Sequence, residues 1–464
     1  MALLCAAAGL QEIALLTGHP GAGIWFVAPA LLVVAALWRP GPLVAAVVLL
    51  ALGLEAVLTL HTGGTRYSDW VLHYELARHY AGLSNSASMA LIPGRTPLFQ
   101  LLAGAFLAHA PGFDAFQVVS VLLNCLWLWP AALLVERAGG RRGPGRLLFV
   151  AVGPFVLAYA VYTWPWGLCG FFVLGAVLFA SEDGRFAAGA TGVAISGALL
   201  THPGALGYVA GLAVLLIVRR RHVLSTLLGG MAAAATAIPW VLSVSGGDLG
   251  RMVRASVPAR QAVGPSLYLL TRVVTVAASF FPVEPIGPDR PAANWLIAFF
   301  VLTLPGALGL TLMFLGPPRH PPRPAVAALL GGVVVGILIY PPNNALTGML
   351  DALYPAVLIV LVTTVATARQ GRVALLGAAN LAAGVLFVAS LVWLSNWAAP
   401  ADANLQLKIR FGLSFVADAL GPAPGVMLLA LSAVLAYLGL RNGGHWRAEG
   451  PGGASDAALA RATS

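Results

Sequence analysis

The chain has 464 residues, of which 59% are hydrophobic and 9% charged, and its formal net charge is +10. A water-soluble chain carries about 25% charged residues, so this composition excludes an ordinary soluble enzyme and points to an integral membrane protein built from spanning helices. The basic excess is first a question of which side of a bilayer the Lys and Arg occupy, and no nucleic-acid partner is expected.

Three apolar stretches open the protein, near residues 2–16, 24–38 and 43–60. The first is short for a full span and carries Glu12. It has no basic leader and no clear cleavage site, so it is expected to be retained as a helix. A polar segment, 61–95, follows, then apolar runs at 97–110 and 116–135 and a basic connection at 137–146. Further spans are predicted near 147–162, 166–180, 187–200, 204–218 and 223–244. After a long mixed segment, 245–291, they resume at 294–315, 325–340, 353–367, 373–394 and 426–440. The expected fold is therefore all-α, a polytopic transmembrane bundle of about 12–14 spans. It forms one domain over 1–441, with external loops near 62–95, 245–291 and 395–424. The Gly- and Ala-rich tail, 442–464, is expected to be disordered and cytoplasmic. Cys5, Cys125 and Cys169 lie inside apolar runs and are expected to be packing residues. No internal repeat of the kind that builds two-halved transporters is visible.

Orientation follows from Lys and Arg in short loops. Residues 137–146, 219–222, 316–323 and 369–372 are the inside candidates, which leaves 162–165, 201–203, 245–291, 340–344 and 395–424 outside. One run decides where the polar segment falls. If 97–110 crosses the bilayer, Asp69 is cytoplasmic. Its 14 residues fall short of the roughly 20 that a span needs, so it is expected to be re-entrant or interfacial, with Asp69 outside.

The segment Tyr67–Tyr80, YSDWVLHYELARHY, concentrates Asp69, His73, Glu75, Arg78 and His79 in a chain with few charges. On a helix, Asp69 and His73 share a face, as do Glu75 and His79. A carboxylate beside a His at a wet membrane surface has the makings of a general base. An interfacial amphipathic helix anchored by Trp70, Tyr74 and Tyr80 explains the same residues without chemistry. His73, Glu75 and His79 are the nearest approach to a metal set. They do not close one of known spacing, so no cofactor is assigned and a divalent cation stays open. Arg251, Arg254, Arg260, Arg272 and Arg290 crowd the external 245–291 segment, and Lys408 and Arg410 lie in the 395–424 loop. Either set suits a phosphate, and either is explained equally by solvation. Arg95 has a snorkelling alternative, His202 a helix-ending one, and Asn343 and Asn344 a turn-forming one. Glu55, inside an apolar run, is expected to face the bundle interior.

The order of these features resembles the GT-C class of membrane glycosyltransferases, in its protein mannosyltransferase-like branch. Asp69 in YSDW is similar to the acidic residue that class carries in its first external loop. The RTPLFQLL run from Arg95 resembles the segment that follows it, and LLTHPGAL at Leu199–Leu206 also fits the branch. YTWPWGLCGFFVL, from Tyr162, resembles a Thr-Trp-Pro-Lys segment, with Trp166 standing where the Lys would be. The resemblance implies an inner-membrane enzyme of the bacterial cell envelope, its active site facing outward. Such an enzyme moves a sugar with inversion from a polyprenyl-phosphate donor to a lipid, glycan or protein acceptor. Asp69 would be the general base, and His73, Glu75, Arg95, His202, Arg254, Arg260, Lys408 and Arg410 would contact substrate or donor phosphate among membrane lipids. A transporter or lipid flippase, a surface-polysaccharide polymerase or ligase, and a non-catalytic scaffold are the competing expectations.

Overall fold

The computed structural model of the protein describes residues 1–38, 42–60, 69–84, 96–137, 147–151, 153–161, 164–219, 222–245, 307–309, 311–312, 321–339, 347–367, 372–382, 411–413 and 423–441. Helices dominate them: α1 (Ala2–Leu16), α2 (Ile24–Trp38), α3 (Pro42–Val57), α4 (Asp69–Tyr80), α5 (Leu98–Leu107), α6 (Phe113–Asn124), α7 (Leu128–Arg137), α8 (Leu148–Ala151) and α9 (Pro154–Val161). They continue as α10 (Trp166–Ala180), α11 (Arg185–Thr201), α12 (Leu206–Arg219), α13 (Val223–Ala235), α14 (Ile238–Ser245), α15 (Arg323–Ile339), α16 (Thr347–Thr367), α17 (Arg372–Ala382) and α18 (Ala423–Arg441).

The helical expectation holds, with local departures that have physical causes. The run predicted at 147–162 breaks between α8 and α9, where Gly153–Pro154 interrupts the amide ladder. The run predicted at 223–244 bends by 49° between α13 and α14, where Pro239 in the first turn of α14 lacks an N–H. The third predicted span ends early: Leu58–Leu60 leaves the helix as a strand, β1, and pairs antiparallel with β2, Phe411–Leu413. No strand was expected from this pattern, because three residues are too few for a period-2 signal. Near that ribbon α18 lies along α3, with the Ser432 hydroxyl donating to the Ala46 carbonyl at 2.7 Å, so the last described helix belongs to the same body as the first ones.

Two helices among the described residues are long and apolar enough to cross a membrane, Pro20–Leu37 and Phe113–Arg137, and a third is added if the bent α13–α14 pair counts as one. The second combines α6 and α7 across a turn at Cys125–Trp127. At the centre, α10 is apolar all round and buried along nearly its whole length, as is α16 from Leu353 onward. Small residues let other helices close on each other: Gly189, Gly192 and Gly229 sit in the α11–α13 crossing, and Gly207, Gly211 and Gly331 in the α12–α15 crossing.

The 25-residue Phe113–Arg137 span separates two ends of the bundle. At its Arg137 end stand the Arg137–Glu182 ion pair and the Arg219 guanidinium, which donates to the Ala180 carbonyl at 3.4 Å. At its Phe113 end lie the α1–α2 turn and the last residues of α4 and α5. There the His109 ring nitrogen Nε2 stands 2.8 Å from the Gly21 carbonyl, and Gly82 abuts Pro20. The segments 138–146, 246–306, 340–346, 383–410 and 442–464 lie outside the described residues. Most of the basic connection, the long segment expected to be external, Asn343, Asn344 and the tail lie there, and the side chain of Glu55 is likewise not described.

Candidate functional site

The helix predicted over Tyr67–Tyr80 forms from Asp69 to Tyr80. It stops because Gly82 adopts φ +71°, which L residues with a β-carbon avoid. The Leu83 amide then bonds the Arg78 carbonyl at 2.9 Å and the Gly82 amide bonds that of His79 at 2.9 Å, the Schellman closure. This leaves the Tyr80 carbonyl for a tertiary partner, and the Gln11 amide supplies it at 2.7 Å.

His73, Leu76, Ala77 and Tyr80 form the buried stripe of α4, at the 3–4 residue spacing of an amphipathic helix. Position 69 begins the helix, one turn before His73. The stripe lies on α5, and the two helices run parallel: the His73 ring nitrogen Nδ1 is 2.6 Å from the Gln100 amide nitrogen, and Ala77 and Tyr80 crowd Gly104. With Gln100 donating, Nδ1 is the acceptor. His73 is 2% exposed and Gln100 1%, so this polar pair is enclosed. Phe113, the first residue of the long span, meets Tyr74 edge-on at 5.1 Å. Asp69 is five residues from Tyr74, about 7.5 Å of helical rise, so it stays in the Phe113 half of the bundle. The helix α5 has 10 residues and rises about 15 Å, half of a bilayer core.

On the outer face of α4, Glu75 takes both of its close contacts from Arg78, at 3.0 and 3.2 Å, and His79 turns Nδ1 to the Ser84 carbonyl at 3.3 Å, so the two share a face without bonding each other. Arg78 also covers the Tyr74 ring at 5.7 Å, and burial nevertheless pushes the Tyr74 phenol up. His202 accepts from the Gly204 amide at 2.9 Å at the start of a short 3-10 turn and lies against Trp166 with ring centroids 3.9 Å apart. It is a buried capping residue beside Trp166. The side chain of Asp69, together with Arg95, Arg254, Arg260, Lys408 and Arg410, lies outside what is described. Lys408 and Arg410 immediately precede β2, whose partner β1 leads into the segment before Asp69.

Residues that the sequence did not single out complete the surroundings. Trp240 Nε1 donates to the Tyr80 hydroxyl at 2.8 Å, Ser243 reaches Glu12 at 2.6 Å, and Gln11 donates a second bond to the Pro20 carbonyl at 3.2 Å. The available signal was the Gln11–Glu12 pair inside an apolar run, where polar side chains must find partners. Among the described residues no three His, Cys, Asp or Glu side chains gather as metal ligands. No protein-family profile, no curated protein and no solved structure matches the chain.

Proposed function

We propose that the protein is a multi-pass inner-membrane glycosyltransferase. It takes a sugar from a polyprenyl-phosphate carrier and passes it, with inversion, to an acceptor on the external face. The observation that carries this reading is the separation of the two bundle ends. Arg137 and Arg219, which border basic loops, share the end opposite the Tyr74–Phe113 contact that holds α4. With basic loops inside, α4 is outside, and the short α5 returns without crossing. Large apolar side chains on outer helix faces, such as Trp25, Leu32, Ile217, Leu227 and Met427, form surface that lipid would cover. The other eight shorter apolar helices among the described residues then count toward a polytopic bundle.

In this mechanism Asp69 accepts the proton of the acceptor hydroxyl while that oxygen attacks the anomeric carbon. The leaving lipid phosphate gains charge, which Arg254, Arg260, Lys408 or Arg410 would balance. The enclosed His73–Gln100 pair fixes the helix that carries the base. A transporter has one observation in its favour, the Glu12 carboxyl buried among helices. Purified protein in lipid nanodiscs, given radiolabelled polyprenyl-phosphate sugars and a membrane extract as acceptor, should form a product of inverted anomeric configuration. Proteoliposomes that move the lipid-linked sugar across the bilayer, with no transfer from any such donor, would replace the enzyme by the transporter.

A further inference from the structure

Gln11 and Glu12, adjacent on α1, bind two other helices through a closed set of contacts. Gln11 donates to the Tyr80 carbonyl on α4, and the Tyr80 hydroxyl accepts from Trp240 on α14. One turn on, the Ser243 hydroxyl lies 2.6 Å from Glu12 Oε1 and 3.0 Å from the Trp240 carbonyl. A serine hydroxyl has one proton and cannot donate to both oxygens. Both contacts are bonds when Glu12 keeps its proton and donates it to Ser243, and Ser243 donates to Trp240. The rest of the site agrees. Glu12 is 2% exposed, its Oε2 is buried without a partner among the described residues, and none of the described Lys or Arg side chains is bonded to it, so an ionised carboxylate would hold its charge on one hydroxyl contact there. The titratable groups that face it among the described residues are His79 and Tyr80, both on α4.

We infer that Glu12 is held as a neutral carboxylic acid whose donated proton closes a clasp across α1, α4 and α14, making Gln11 and Glu12 positioning residues for the helix that begins at Asp69. This rests on the proposed function only for the identity of the positioned group. Glu12 is then unsuited to carry an ion, because its proton is already committed to Ser243.

The test uses the full chain in nanodiscs, with Glu12→Gln and Glu12→Ala. A glutamine offers Ser243 an N–H donor in place of the acid proton and leaves its carbonyl where Oε2 stands. The expectation is that Glu12→Gln keeps thermal stability and stays within about threefold of the parent transfer rate, whereas Glu12→Ala loses at least about tenfold. Infrared difference spectra between parent and Glu12→Gln at neutral pH should show one protonated-carboxyl band lost. A carboxylate band lost instead, or a Gln variant as impaired in stability as the Ala variant, overturns the inference. The infrared and thermal readouts do not depend on transfer, so failure of the enzyme reading leaves them intact and is recognised separately by an absence of transfer in the parent protein.

Discussion

The docking of α4 on α5 can be perturbed at a single atom. In Gly104→Ala the new β-carbon would stand 2.9 Å from the Tyr80 β-carbon, 3.0 Å from the Ala77 carbonyl oxygen and 3.1 Å from the Tyr80 carbonyl carbon. None of these belongs to a flexible side-chain end, so the helices must separate. Carbon atoms rest about 3.5–4.0 Å apart, which calls for about 0.6–1.1 Å of movement. Overpacking of this kind costs about 1–3 kcal/mol, while exchanging a mid-helix Gly for Ala returns about 1 kcal/mol of propensity. The net stability change is thus about 0–2 kcal/mol, small enough for the variant to fold. Catalysis is less tolerant, since a displacement of about 1 Å of a catalytic group costs about 100-fold. Thermal unfolding in detergent, paired with initial transfer rates, should show near-parent stability and a 10- to 100-fold slower enzyme, where about two decades is the upper reach of a 1 Å shift. Parent-level transfer from Gly104→Ala and also from the bulkier Gly104→Val would refute the close parallel contact of these helices.

Two further outcomes follow from particular contacts and a third from the proposed donor site. Tyr80→Phe deletes the acceptor of the buried Trp240 N–H and should cost about 1–3 kcal/mol in denaturant unfolding, and a change within error would mean that this bond is unmade. Glu75→Gln breaks an ion pair whose side chains are 23% and 36% exposed, so the change should stay below about 0.5 kcal/mol by the same measurement, and a larger loss would assign Glu75 a role beyond Arg78. Arg254→Ala and Arg260→Ala should weaken binding of the polyprenyl-phosphate sugar more than binding of the acceptor in titrations with each, and unchanged donor affinity in both would end their phosphate role.

How far the chain could be read in advance depended on the range of each interaction. Helix positions follow from local apolar runs, and α2, α6–α7 and α10 lie near where those runs put them. That 73, 76, 77 and 80 share one face of α4 follows from their helical spacing. Which face would be buried did not follow: charge density made the helix look interfacial, whereas α5 covers His73 and pairs it with Gln100, a residue 27 positions later. Glu75 and His79 share a face of α4 as the spacing implies, but Arg78 lies three residues from Glu75 and meets its carboxylate directly. The Gln11–Tyr80 and Ser243–Glu12 contacts span 69 and 231 residues, a separation no local pattern encodes. The strand at Leu58–Leu60 exists only through its pairing with Phe411–Leu413.

The proposed sugar transfer is tested most directly by Asp69→Asn, assayed beside the parent protein with polyprenyl-phosphate sugars. The amide keeps the shape of the carboxyl but cannot take a proton from an attacking hydroxyl. The rate should fall by at least about a hundredfold with thermal stability unchanged. Undiminished transfer by a folded Asp69→Asn protein would contradict the assignment of the base.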